Sequence, residues 1–270
     1  MRPDAIIFDL EDSAGEGEKH AGREALRAHL ALHPAFPDDP VLRILRVNPP
    51  GTPDGEADLA LGATGGFDAV LVPKVESPQT LAETDERLMR LGASPTLAIW
   101  AMVETPKGVR DVAAISQTPL TRPLGALVVG PNDLVAAADL LPSPGRPELM
   151  PWLGPILVAG RAAGIPVLDG VYADLADPAG FEAECRQGRA YGFSGKTLIH
   201  PSQVDPANQA FSPTVEDIAV ATAIVAAFSD PAYAERGVVR HAGRMVERLH
   251  LQAAERLLAR VALIQERSTR

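Results

Sequence analysis

Short apolar runs recur along this chain, and nearly every one stops abruptly on a charged or polar residue. "AIIFD" ends at Asp9, "VLRILR" at Arg46, "AVLVPK" at Lys74, "LAIWAMVE" at Glu104 and "LVVGPND" at Asp133. The runs are continuous rather than alternating, as in strands buried on both faces of a parallel sheet. Ala-, Leu-, Glu- and Arg-rich stretches with helical spacing lie between them, at 18–32, 78–91, 108–116 and 155–163. Alternating β and α at this spacing predicts a parallel α/β domain, and 270 residues suit a (β/α)8 barrel better than an open sheet. In such a barrel the carboxyl ends of the strands converge on one face, so the polar residues ending the runs are the candidate site.

Strands are expected at 5–9, 41–47, 69–73, 96–103, 126–129, 166–168 and 195–199, one fewer than a closed barrel needs. A barrel lacking its first strand and helix predicts an open side between the strands at 5–9 and 195–199, and an upstream start is the favoured explanation. The barrel domain is expected over 1–212. A C-terminal helical extension is expected over 213–270, with helices at 214–228 and 250–263 and a polar linker between them. The Pro-rich stretch 142–155 is a lid or a tolerated insertion.

Composition removes several function classes. The net charge of −10, with no basic stripe, argues against a nucleic-acid surface. No Gly-rich phosphate-binding fingerprint is present. The apolar runs are shorter than a membrane span, the chain opens on a strand-like run without an apolar leader, and the cytoplasm is the expected compartment. Cys185, the single cysteine, allows neither an internal disulfide nor a cysteine-based zinc site, and it lies in a helix where an inert thiol is expected.

Glu104 and Asp133 are the metal candidates, because two carboxylates on successive strands suit a hard cation such as Mg²⁺. The alternatives are that Glu104 serves the N-terminus of the following helix and that Asp133 caps its own. Arg46 lies in an otherwise apolar strand and needs an anionic partner. That partner is either an internal acid, Asp9, Glu11 or Asp12, or a substrate oxyanion. Lys74 is expected to pair with a neighbouring acid, and His200 to hold its loop rather than act as a base.

The motifs "AIIFDLEDS", "RVNPPGTPDGEADL", "VLVPKVES", "VETPKGV", "GPNDL", "VLDGVYADLADPAG" and "GFSGKTLIHPSQV" occur in this order. The series, over residues 4–258, resembles the HpcH/HpaI aldolase/citrate lyase family, and within it the citrate lyase β-subunit-like branch of CoA-ester lyases. The resemblance implies a (β/α)8 barrel assembled as a trimer or hexamer, with Mg²⁺ held at Glu104 and Asp133. It implies that Arg46 binds substrate and stabilises an enolate, and that Glu11, Asp12, Lys74, Pro131 and Asn132 line the substrate site. It further implies a carbon–carbon lyase acting on a short 3-hydroxyacyl-CoA, or an acyl-carrier thioester, to give a 2-oxo acid and acetyl-CoA. Aldol cleavage of 4-hydroxy-2-oxo acids, malate-synthase-like or thioesterase chemistry, and a non-catalytic barrel subunit are the alternatives. Where family members carry a C-terminal "GxMID" element, this chain reads "GRMVERLH", which puts Glu247 at the position of an aspartate delivered to a neighbouring subunit.

Overall fold

The computed structural model describes residues 2–13, 15, 17–34, 41–229, 237–241 and 244–269. The chain forms two compact units, Met1–Phe211 and Ser212–Arg270. In the first, strands and helices alternate: β1 Ala5–Asp9, α1 Lys19–Leu32, β2 Leu42–Arg46, α2 Pro53–Ala63, β3 Ala69–Val72, α3 Pro78–Arg90, β4 Ala98–Val103, α4 Pro106–Ile115, β5 Leu124–Val129, α5 Pro131–Ala137, α6 Met150–Ala163, β6 Val167–Asp169, α7 Pro178–Tyr191, β7 Gly195–Lys196 and α8 Val204–Phe211. The seven strands form one parallel sheet in sequence order, with β1 and β7 at its two edges, a TIM-barrel-like fold.

The continuous apolar runs follow from burial of both sheet faces. Leu45, Val70, Val72, Ile99, Ala101, Val103, Leu127 and Val129 pack under the helices, against Leu59, Leu81, Leu88, Val112, Ile115 and Leu153. The alternate residues Ile44, Leu71, Trp100, Met102, Ala126 and Val128 form a separate cluster on the other face. With successive side chains pointing to opposite faces, a strand covered on both sides has no polar positions to show.

Four helices start with the same device. Thr52, Ser77, Thr105 and Asp177 each cap the helix by accepting a backbone N–H three residues on, and each is followed by proline at the first helical position. Proline there loses no hydrogen bond and supplies the right φ. Because each of these helices follows a strand, the caps lie at the carboxyl ends of the sheet.

Several expected boundaries shift. The helix read from residue 155 begins at Met150, since Leu153 N–H already bonds Leu149 O, and Pro155 lies inside it. The Pro-rich stretch 142–155 is therefore partly helix, and the rest is pinned by Arg146. This guanidinium donates to Asp169 through Nη1 (2.8 Å) and Nη2 (2.7 Å) and through Nε to Gln187 (3.0 Å). The strand at 195–199 contracts to two residues, because 197–200 leaves the ladder for the turn at Pro201–Gln203, where His200 Nδ1 accepts Ser202 N–H (3.2 Å). His200 thus holds its loop. Cys185 is fully buried, and burial pushes its thiol up to about 11.

The second unit contains α9 Val215–Ser229, β8 Val238–His241, β9 Arg244–Glu247 and α10 Arg248–Thr269. The expected polar linker contains an antiparallel hairpin, β8 with β9, whose Val239 and Val246 pack on Phe228 and Leu251. Pro201–Ser229 passes a test of length and composition for a membrane-crossing helix, but its helices α8 and α9 are separated at 212–214, and each is shorter than a span.

Candidate functional site

The site is built on the carboxyl ends of β1 to β5. Register sets its first contact. Asp9 pairs with Arg46 at the end of the β1–β2 ladder, and the two side chains meet in a bidentate bridge, Nε to Oδ1 and Nη2 to Oδ2, both 2.7 Å. Arg46 Nη1 reaches Glu11 Oε2 (3.1 Å) and Asp12 Oδ2 (3.0 Å). All three acids weighed as partners are therefore used. Asp9 is itself fixed by the backbone N–H groups of Glu11 (2.9 Å) and Ser13 (3.0 Å), which curl the loop 9–13 around it. Burial alone would raise the Asp9 carboxyl, but the Arg46 hydrogen bonds and charge outweigh it and hold Asp9 below its ordinary value. Burial likewise opposes the charge on Arg46, and the three acids overcome it and raise its pKa.

Lys74 stands at the centre. Its Nζ lies 3.0 Å from Glu11 Oε1 and 3.6 Å from Asp133 Oδ1, and its backbone N–H donates to Glu104 Oε1 (2.8 Å). To do this the residue adopts φ 50°, a left-handed conformation that costs a non-glycine residue on the order of 1 kcal/mol. Partial burial disfavours its ammonium, but Glu11, Asp133 and Glu104 more than compensate and raise its pKa. Burial raises Glu11, against the pull of Lys74 and Arg46.

Glu104 is 2% exposed, and its carboxyl is pushed up to about 7. Burial is the main cause, and the negative charges of Asp133 and Glu11 add to it. Thr105 Oγ1, not Glu104, supplies the capping acceptor of α4, and Glu104 Oε1 accepts the Lys74 N–H instead. Asp133 lies in the first turn of α5 and faces Lys74. Gly130 makes the room. A Cβ there would lie 2.2 Å from Glu104 Oε2 and 2.6 Å from Glu104 Cβ, although its φ of −103° suits any residue. Sequence reading did not single out this glycine, and the signal was its place between the last strand residue and Pro131.

Glu104 and Asp133 could hold a divalent cation. Glu104, which burial and the nearby charge of Asp133 leave reluctant to ionise, is the kind of carboxyl that a hard cation relieves. Among the described residues no three His, Cys, Asp or Glu side chains are grouped as metal ligands. Mg²⁺ commonly takes one or two carboxylates and completes its shell with water and substrate, so two acids suffice. Pro131 opens α5, and Asn132 is exposed beside it. Glu247 ends β9 in the second unit, where its N–H bonds His250 Nδ1 (2.9 Å). A cavity lined by Arg2, Ile6, Phe8, His29, Val41 and Arg43 lies along β1 and the start of β2, and it includes none of these groups.

Comparison with known proteins adds to this geometry. The model of the HpcH/HpaI aldolase/citrate lyase family matches residues 1–201, and a model described as C–C bond lyase of the TIM-barrel fold matches 156–264. The chain is 40% identical over 264 residues to a (3S)-malyl-CoA thioesterase of Cereibacter sphaeroides, covering 98% of this chain and 88% of the relative. It is 32% identical to the citrate lyase subunit beta of Escherichia coli, covering 96% and 86%. A solved structure of protein CitE from Mycobacterium tuberculosis, in complex with magnesium, acetoacetate and coenzyme A, is 31% identical with a TM-score of 0.76, over 96% of this chain and 90% of that one.

Proposed function

The chain belongs to the HpcH/HpaI aldolase/citrate lyase family, and on that premise we propose that it is a Mg²⁺-dependent lyase of a short 3-hydroxyacyl-CoA. The observation carrying this reading is the convergence of Arg46 and Lys74 with Glu104 and Asp133 on one strand-end face. Glu104 and Asp133 would hold the cation. When bound, Mg²⁺ supplies Lewis acidity toward the oxygens of the 2-oxo acid portion. The magnesium in the CitE complex supports this assignment.

The residues of the chain do the rest. In malyl-CoA, for instance, the bond between the hydroxyl-bearing carbon and the methylene breaks. The hydroxyl proton leaves, glyoxylate forms, and the acetyl thioester departs as an enolate that is then protonated at carbon. Arg46 opposes that developing negative charge with an orientation Asp9 has already fixed. Its contact with Asp12, whose side chain is 65% exposed, is the one a substrate oxygen displaces most readily. Lys74 stays protonated and adds a second positive charge. Assembly as a trimer or hexamer, with Glu247 of one copy completing another's site, belongs to the same proposal, and a monomer in light scattering would remove it.

Gly130→Ala tests the metal assignment without touching a ligand. Its methyl must displace the Glu104 carboxylate, so Mg²⁺ affinity should fall about tenfold or more in calorimetry, the scale at which a misoriented ligand acts. Unchanged affinity would remove Glu104 from the metal site.

A second reading, thioester hydrolysis, is favoured by the 40% identity to the malyl-CoA thioesterase. One assay separates the two. Purified protein with Mg²⁺ and malyl-CoA should release glyoxylate and acetyl-CoA if it is a lyase. Malate with free CoA thiol would identify the hydrolase, and no turnover of malyl-, citramalyl- or citryl-CoA would reject both.

A further inference from the structure

We infer that Asp58, acting through Asn48, is a positioning residue for the loop 9–13 and so for Arg46 and Lys74, an inference that rests on the function proposed above. Asp58 is on α2, away from the reacting groups, and is fully buried. Its Oδ2 accepts both the backbone N–H (2.8 Å) and the side-chain amide (2.7 Å) of Asn48, and its Oδ1 accepts Arg23 Nη1 (2.9 Å). Asn48 lies two residues beyond Arg46, and its Nδ2 also donates to the carbonyl of Leu10 (2.8 Å). Lys19, buried on α1, donates to the same carbonyl (3.1 Å) and to that of Glu11.

The consequence is directional. With the carbonyls of Leu10 and Glu11 held from inside, the side chains of Glu11 and Asp12 are turned toward Arg46 Nη1, and that of Glu11 also toward Lys74 Nζ. The orientation of the Arg46 plane is thus set by a buried carboxylate that never meets substrate. The network also has no spare acceptor. Every donor aimed at Asp58 needs a carboxylate oxygen, so an amide there must turn its NH₂ group against either Asn48 or Arg23. Glu104 and Asp133 take no hydrogen bond from it, which separates its effect from metal binding.

The test is Asp58→Asn in the full chain, read three ways. With a CoA thioester that the wild type cleaves, kcat should fall on the order of tenfold to a hundredfold, the size seen for outer-shell partners. KM and the Mg²⁺ Kd should stay within about twofold, because neither the metal carboxylates nor the substrate contacts are removed. Amide exchange of residues 10–13 should accelerate while residues 98–104 remain as protected as in the wild type. A variant that keeps kcat, that loses Mg²⁺ affinity in step with kcat, or that leaves exchange at 10–13 unchanged would overturn the inference. If Asp58→Asn does not fold, Asn48→Ser carries the same three readouts, since it keeps Asp58 with Arg23 and with the backbone N–H of residue 48 and removes the side-chain amide that joins Asp58 to the carbonyl of Leu10. If the wild type cleaves no thioester, the functional proposal fails, and the exchange measurement alone decides the positioning role.

Discussion

Arg46→Lys is expected to lose about two to three orders of magnitude in kcat while the protein stays folded. The substitution conserves charge, so it isolates geometry. Arg46 uses Nε and Nη2 on Asp9 and Nη1 on Glu11 and Asp12, four contacts that only a planar fork can make at once. An ammonium is a single point with rotatable donors. It can satisfy Asp9 or face the pocket, but not both. Loss of one well-placed donor to a developing oxyanion costs about a hundredfold to a thousandfold. Steady-state kinetics with the cleaved thioester read the result. Near-normal kcat in Arg46→Lys would reduce Arg46 to an internal ion-pair residue and shift the role of opposing the enolate charge to Lys74.

The largest effect on stability is expected from Asp169→Asn. Asp169 is fully buried at the end of β6, opposite Lys196 in the β6–β7 register. Its carboxylate takes Arg146 in a bidentate bridge and Lys196 at 3.3 Å, and Glu184 is the other acid of the cluster. Removing one partner of a buried network leaves uncompensated charge and costs about 3–5 kcal/mol. For a unit of this size that is a loss of roughly 10 °C in melting temperature. The pH dependence has a definite sign. Burial raises the Asp169 carboxyl, but Arg146 and Lys196 outweigh it and hold it below its ordinary value. Its stabilisation is therefore complete above the unfolded-state value near pH 4, and is lost as pH falls through the depressed folded-state value. The difference between wild type and Asp169→Asn should be flat from about pH 5 to 7 and shrink in stronger acid. A difference that grew on acidification, or a variant as stable as the wild type at pH 7, would contradict the account.

The strands and their polar ends were legible because burial on both sheet faces leaves a continuous apolar run, and the run stops where the chain leaves the sheet. Arg46 was legible as a charge in need of a partner, and the β1–β2 register then placed Asp9 opposite it. The residues that organise the site were harder to read. Asp58, Asn48 and Arg23 are ordinary polar residues of helices and a loop, and only the fold brings them to one carboxylate. Arg146 sits in a Pro-rich stretch whose composition suggests a loop, and its partner lies 23 residues away. The β8–β9 hairpin was hidden because its two short strands carry charged residues beside the two valines, Val239 and Val246, that pack into its small core, so neither shows a clean alternation.

The central claim is that Glu104 and Asp133 carry one Mg²⁺ on the strand-end face, and a calorimetric Mg²⁺ titration tests it most directly. It should be run at pH 8, above the Glu104 value of about 7, so that the carboxylate is ionised and proton competition is small. The wild type should bind one Mg²⁺ per chain, and Glu104→Gln and Asp133→Asn should each weaken binding at least about tenfold without loss of fold. Equal affinity in the wild type and both variants, or no binding by the wild type, would contradict the claim.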